Sequence, residues 1–401
     1  MGQKMNSLLT LPMFAIFNNE SICMRNIKFK SPDNNQTQFA AAVRKNVDQY
    51  FRETGISPKG DWTLRLKAFA MLAMYIAPFV LILTLPMSAW VALLLVIIMG
   101  IGTAGVGMGV MHDAIHGSYS RQAWENNLMG SSMYLLGSHV FVWFVQHNVM
   151  HHTYTNIDGL DGDIGPRGPL RLSEHAPLKN MHRYQHWYAF LLYGLMSISK
   201  LVRDFSQLSE YNKAGITKAQ RRSPAMEWVK LVSFKAIYLF VIIGLPLMLT
   251  SFNIWQVLAG FFIMHWVTGV ILATIFQLAH VVEGAEQPLE LSNGLIENDW
   301  MVHELQTTAN FARNQHLLNW YVGGLNFQIE HHLFPHVSHI HYPKIAPIVE
   351  RTAMEFGYNY NMKLTFMGAL ISHVRRLKEL GNMDPATIVL TPSNSKAVGV
   401  A

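Results

Sequence analysis

Apolar positions in this chain gather into long unbroken stretches, not into the narrow stripe of a helix that rests on a soluble core. Four such stretches stand out, at about 66–85, 89–110, 229–249 and 254–282. At ~1.5 Å per residue, each is long enough to cross a hydrocarbon core of ~30 Å. Pro86, Met87 and Ser88 join the first pair, and Thr250, Ser251, Phe252 and Asn253 join the second, so the spans form two hairpins. Two weaker segments, 128–145 and 186–201, are interrupted by polar residues and are predicted to be helices lying in the membrane interface. The pattern predicts an all-α polytopic membrane protein of four transmembrane helices, with interfacial helices and a polar helical cap after residue 283.

Charge orients the hairpins. Neither hairpin turn carries Lys or Arg, whereas residues 25–67 carry nine and residues 167–235 carry twelve. The excess of basic residues on one side places both termini and the central segment in the cytoplasm. The second and fourth spans then end on that face, beneath the cap.

Composition sharpens this picture in two places. Half of the 401 residues are hydrophobic and 14% are charged, against roughly 25% charged in soluble domains. The mean hydropathy of +0.17 leaves room for a sizeable polar part beside the spans. The single cysteine, Cys23, excludes a disulfide framework and a thiolate-rich metal site. The net charge of +6 is spread too thinly for nucleic acid, with no basic run interleaved with aromatics. Membrane headgroups are the expected basic-face partner. Residues 1–27 read as a disordered N-terminal extension, with Pro12 breaking the only apolar run, and residues 383–401 read as a flexible tail. A single domain is expected at 28–382.

Nineteen histidines beside one cysteine is the unusual count. His112 and His116 close the second span. His147, His151 and His152 follow the first interfacial segment. His280 ends the fourth span, and His331 and His332 lie in the cap with Gln328 just before them. Residues at i and i+4 share a helix face, so His112 with His116, and His147 with His151, each suit one metal. The adjacent pair His151–His152 diverges and suits two ions. Eight imidazoles exceed the four ligands of a tetrahedral zinc site, so a di-metal site under the cap is the simpler count. Imidazole accepts zinc, copper, iron or nickel, and ligand type alone does not name the metal.

Other features have structural readings. His265 stands mid-membrane, fifteen residues before His280 and hence roughly 22 Å from it along a straight helix. It reads as a hydrogen-bonded packing residue, with a place along a substrate tunnel as the alternative. His139, His303, His316, His336, His339 and His341 read as structural. Asp113 and Glu330, inside the histidine clusters, are expected to orient histidines, and Asp161 and Asp163 to orient them or shape a turn. Gly100, Gly102, Gly105, Gly107 and Gly109 are expected to let the second span pack closely. The basic run 218–222 reads as a headgroup-facing surface.

These residues resemble the membrane-bound fatty acid desaturase family over about 28–357. The likeness rests on the three histidine boxes, on Asn156, Gly159, Asp161 and Asp163 after the second box, and on Asn319-Trp-Tyr-Val-Gly-Gly followed by Gln328, His331, His332 and Pro335. The resemblance implies a non-haem di-iron centre, molecular oxygen as co-substrate, and electrons from a separate donor of ferredoxin or cytochrome b5 type. It makes His112, His116, His147, His151, His152, His280, His331 and His332 the ligands and catalytic centre, with Gln328 a weak ligand or water holder. A third box opening on glutamine resembles the front-end subgroup, which desaturates between an existing double bond and the carboxyl end. The His-Pro-Gly-Gly motif that marks the fused cytochrome b5 domain of many such proteins does not occur in this sequence, so a separate donor is the expectation. The layout is similar to bacterial linoleoyl-CoA or acyl-lipid desaturases of the inner membrane, and implies an acyl-CoA or acyl-lipid substrate. A fatty acyl or lipid hydroxylase on the same scaffold is the alternative. A metal transporter is the rival from another class, disfavoured because transporters bind near the midplane.

Overall fold

The computed structural model describes residues 27–165, 168–289 and 294–384. The extension expected at 1–27 and the tail expected from 383 fall almost wholly outside the described residues.

Among the described residues, four helices are long and apolar enough to cross a membrane: Trp62–Thr84, Ala89–Ile115, Pro224–Leu249 and Ile254–His280. Each starts at a side chain that accepts from the otherwise unpaired first amides. Asp61 accepts from Thr63 and Leu64, Ser88 from Val91, and Ser223 from Met226 with Pro224 in the first turn. Asn253 and Gln256 form a reciprocal capping pair. Leu66, Phe69, Val80, Leu94, Val229 and Ile237 are exposed on the outer faces, where hydrocarbon rather than water is their natural solvent. Trp90 and Trp255, highly exposed in the first turns of the second and fourth spans, sit where amphipathic rings favour the membrane–water boundary.

The glycines of the second span act as read. A Cβ on Gly102 would meet the Met74 backbone at 2.7 Å, and one on Gly100 would meet the Met264 carbonyl at 2.8 Å. The second span is thereby clasped between the first and the fourth.

The two weaker segments are less simple than predicted. The first is a helix pair, Ala123–Leu136 and Val140–His151, bent by 105° at Gly137, which takes a left-handed φ of 71°. The second divides at Gly194 into Gln185–Tyr193 and Leu195–Lys213.

The polar end is a helical cap. Asn34–Thr54 packs on Tyr342–Glu355 and Trp300–Thr307 around Phe39, Val43, Met301, Leu305, Phe327, Ile329 and Val349. Two short parallel pairings, absent from the sequence expectation, stitch it: Lys28–Phe29 on Leu295–Ile296, and Asn310–Phe311 on Met362–Lys363. Two-residue strands carry no period-2 signal to read.

Candidate metal centre

Helix ends bring the eight predicted histidines together. The second span passes into a π-helical turn, Gly107–Met111, directly before His112. The second box lies on another, Val145–His151. A π turn closes hydrogen bonds from i to i+5, and such bulges occur often at functional sites. Here the His152 amide donates to the His147 carbonyl at 3.0 Å, which brings residue 152 over residue 147. The short helix Gln328–Leu333 presents the third box, and His280 is the last residue of the fourth span.

Two clusters result. Ring nitrogens of His112, His116, His147 and His331 lie within 4.8 Å of one another, as do those of His151, His280 and His332. His152 stands between, its Nε2 3.2 Å from His147 Nε2 and its ring stacked on His332 at 4.3 Å. His112 Nε2 and His147 Nε2 are 3.0 Å apart. Two imidazoles each ~2.0–2.1 Å from one ion would stand about this far apart. His147, His151 and Asp163 form a third group whose ligand atoms also lie within 4.8 Å of one another, so the expected i,i+4 pair can share an ion, while His147 also belongs to the first cluster and His151 to the second.

The chemistry of the rings fits metal. His151 Nδ1 donates to Asp161 (2.9 Å), His332 Nδ1 to Glu304 (2.7 Å), and His331 Nδ1 pairs with the Tyr342 hydroxyl (3.1 Å). The Nε2 atoms of these three, and of His116 and His280, are buried without a protein partner among the described residues. Anchoring one ring nitrogen fixes the tautomer and leaves the other as a ligand. Burial, reinforced by neighbouring imidazoles, pushes His152, His331 and His332 well below the ordinary histidine value, which keeps them in the neutral form that ligates. Gln328 Oε1 is buried and also lacks a partner. His116 is the one ring of the two clusters that stays partly exposed.

Asp161 is a junction. Its Oδ2 accepts from His151 and from the Asn156 amide, and its Oδ1 from the Asp163 amide, all at 2.9 Å. Asn156, held at a left-handed φ of 59°, donates its side-chain amide to the carbonyls of His280, Glu286 and Thr307. The loop after the second box is thus tied to the end of the fourth span.

The roles expected of Asp113 and Glu330 need correction. Asp113 accepts from His339 Nδ1 (2.9 Å) and Ser338, not from a box histidine, and Lys67 of the first span donates to His339 Nε2 at 2.9 Å. Glu330 accepts from Tyr360 and Asn310. Their side chains point away from the clusters and fasten the cap. His265 is a packing residue, bonded to Tyr238 (2.7 Å) and Ser197 (2.8 Å). An apolar cavity of about 260 Å³ lined by Phe79, Trp90, Ile242, Phe261 and Met264 occupies the hairpin-turn half of the bundle. Met264 lies sixteen residues before His280, roughly 24 Å away along the helix, so this cavity is remote from the chemistry.

Sequence reading missed Glu304, Tyr342 and Trp300. Glu304, fully buried in Trp300–Thr307, had only the bare His303-Glu304 pair as a signal.

A family profile described as fatty acid desaturase matches residues 88–363. The chain is 35% identical over 355 residues to an sn-1 linoleoyl-lipid 6-desaturase of Arthrospira platensis, covering 87% of this chain and 94% of that protein. It is 33% identical over 344 residues to a Synechocystis protein of the same description, covering 86% and 95%. An acyl-lipid (8-3)-desaturase of Physcomitrium patens is 34% identical over 351 residues, covering 87% and 73%.

Proposed function

The chain belongs to the fatty acid desaturase family, and on that premise we propose that it is a front-end acyl-lipid desaturase working on an 18-carbon chain of the linoleoyl type, as its cyanobacterial relatives' names describe for them. The observation that carries this reading is the pair of adjacent imidazole clusters with their Nε2 atoms turned inward.

His112, His116, His147 and His331 would hold one iron, and His151, His280 and His332 the other, with His152 between them and Gln328 Oε1 as a weak ligand or water holder. Two irons so held would supply, with O2, the oxidising power to remove hydrogen from unactivated methylenes, which no side chain possesses. The protein's own contribution is rigidity and dryness. Asp161, Glu304 and Tyr342 fix the second nitrogen of three rings. Trp143, stacked on His147 at 4.4 Å, and Phe276, 6.4 Å from His112, give the first cluster an apolar wall against which a methylene segment would rest. Burial of the histidines keeps water from competing for the oxidant. Desaturation rather than hydroxylation would depend on how firmly that wall holds the second methylene after the first hydrogen leaves.

The basic residues of 25–67 and 167–235 support a cytoplasmic cap, a cytoplasmic centre and a one-electron donor, of ferredoxin or cytochrome b5 type, approaching from that side. Residues 28–382 would form one domain.

The test is the fatty-acid profile, by gas chromatography with mass spectrometry, of linoleate-fed cells expressing the chain or its His331→Ala variant. A new double bond on the carboxyl side, absent with the variant, is expected. An alcohol product would transfer the assignment to a hydroxylase. Iron counted on the purified protein at about two per chain is the companion expectation.

A further inference from the structure

Acyl desaturation leaves a debt of electrons. Two electrons and two protons leave the acyl chain as two hydrogen atoms, and one O2, taking four of each, becomes two waters. The balance requires two further electrons and two protons, which a one-electron protein donor and solvent must deliver. The centre is walled in. Of the residues that anchor it, Glu304, Tyr342 and Asp161 are all at most 1% exposed.

Trp300 is different. It is half-buried at the start of Trp300–Thr307, with part of its ring at the surface of the cap. Its indole N–H donates to the His152 carbonyl at 3.1 Å, and the indole also lies beside the Glu304 carboxylate. His152 is the histidine between the two clusters, and Glu304 is the anchor of His332. One half-buried aromatic side chain is therefore bonded to the backbone of the histidine between the clusters and lies beside the support of the second. Asp163 and an edge of His116 also approach solvent, but a carboxylate has no π system to carry an electron, and His116 lies in the first cluster alone.

We propose that Trp300 is the point at which electrons enter, coupling a docked one-electron protein donor to the metal centre through His152. The inference rests on the desaturase reading above. Trp300 packs against the cap core, as do the part-buried Tyr50, Phe51, Phe356 and Tyr358, but it also bonds to His152 and lies beside Glu304.

The experiment uses the full-length, iron-loaded protein in detergent. Reduction of the oxidised centre is followed by stopped-flow absorbance with two reductants, reduced ferredoxin and dithionite, in wild type, Trp300→Phe and Trp300→Leu. Rates are normalised to iron content. Trp300→Phe keeps the packing and loses the N–H link, while Trp300→Leu loses the ring. Reduction by ferredoxin is expected to fall by roughly tenfold or more in both variants, about 1.4 kcal/mol of barrier per tenfold. Reduction by dithionite, small enough to reach the centre by other routes, is expected to stay within about twofold. Unchanged ferredoxin reduction would overturn the proposal. So would an equal fall with both reductants, which would make Trp300 a positioning residue for His152. Desaturation by the wild type in cells is scored separately, so a failure of the functional reading cannot be mistaken for a failure of this one.

Discussion

Asp161→Asn is the perturbation that isolates how the second cluster is held. The carboxylate accepts on both oxygens, from His151 Nδ1 and the Asn156 amide on one and from the Asp163 amide on the other. An amide of the same shape has one oxygen. Whichever way it turns, its NH2 faces at least one buried N–H, and a donor is left unpaired at about 1–3 kcal/mol. If the oxygen stays toward His151, the ring keeps its tautomer but loses the negative charge that raises its basicity. If it turns away, the ring is free to rotate. Either outcome lands in the range found when a residue supporting a metal-bound histidine is replaced, ~10–100-fold in affinity. The assay is iron per chain after equilibration with graded chelator, with half-removal expected at ~10–100-fold lower chelator than for wild type. Asp163→Asn is the comparison. Its carboxylate is 28% exposed and stands 3.7 Å from His151, so a smaller shift is expected. Wild-type iron retention by Asp161→Asn, or an equal loss in Asp163→Asn, would refute the argument.

Other expectations are more direct. Gly323→Ala places a Cβ 2.4 Å from the Met108 carbonyl at a φ of +66° and should cost at least ~1–3 kcal/mol, read as a lower unfolding temperature in detergent; an unchanged transition would argue against the loop's seat on the second span. Arg171→Met leaves the carbonyls of Glu174, Ala176, Leu380 and Met383 without their buried donor and should cost at least ~1–3 kcal/mol, seen as rapid proteolytic release of the C-terminal helix. Lys67→Met removes the donor to His339 Nε2 and should lower stability by about 1–3 kcal/mol while leaving iron content unchanged. Stripping metal with chelator should lower thermal stability by about 3 kcal/mol at metal concentrations a hundredfold above Kd, and no shift would separate the centre from folding.

Much of this was legible because membranes and metals leave strong marks on sequence. The four spans follow from run length, the hairpins from their short turns, and the eight histidines from their spacing at predicted helix ends. What stayed hidden depended on backbone departures and on partners distant in the chain. Nothing in Val145–His151 announces the π turn that brings His152 over His147. Asp113 and Glu330 look like supports because they neighbour histidines in sequence, yet a helix turns adjacent side chains away from one another. The actual support, Glu304, reaches His332 across 28 positions, and no local pattern records such a pairing.

The cap joins the two ends of the chain. Asn34–Thr54 packs on Tyr342–Glu355, and Asn35 bonds to Phe356 across 321 positions. At a synthesis rate of ~5–20 residues per second, the first helix leaves the ribosome about 15–60 s before its partner exists. Through that interval both hairpins must insert while Phe39, Val43 and Val47 have nothing to cover them, and loop closure this long can be completed only at the end of translation. The histidine clusters therefore close last. Until residue 350 or so has emerged, the first two boxes stand uncovered, and any loading of metal would fall in the same window as completion of the fold.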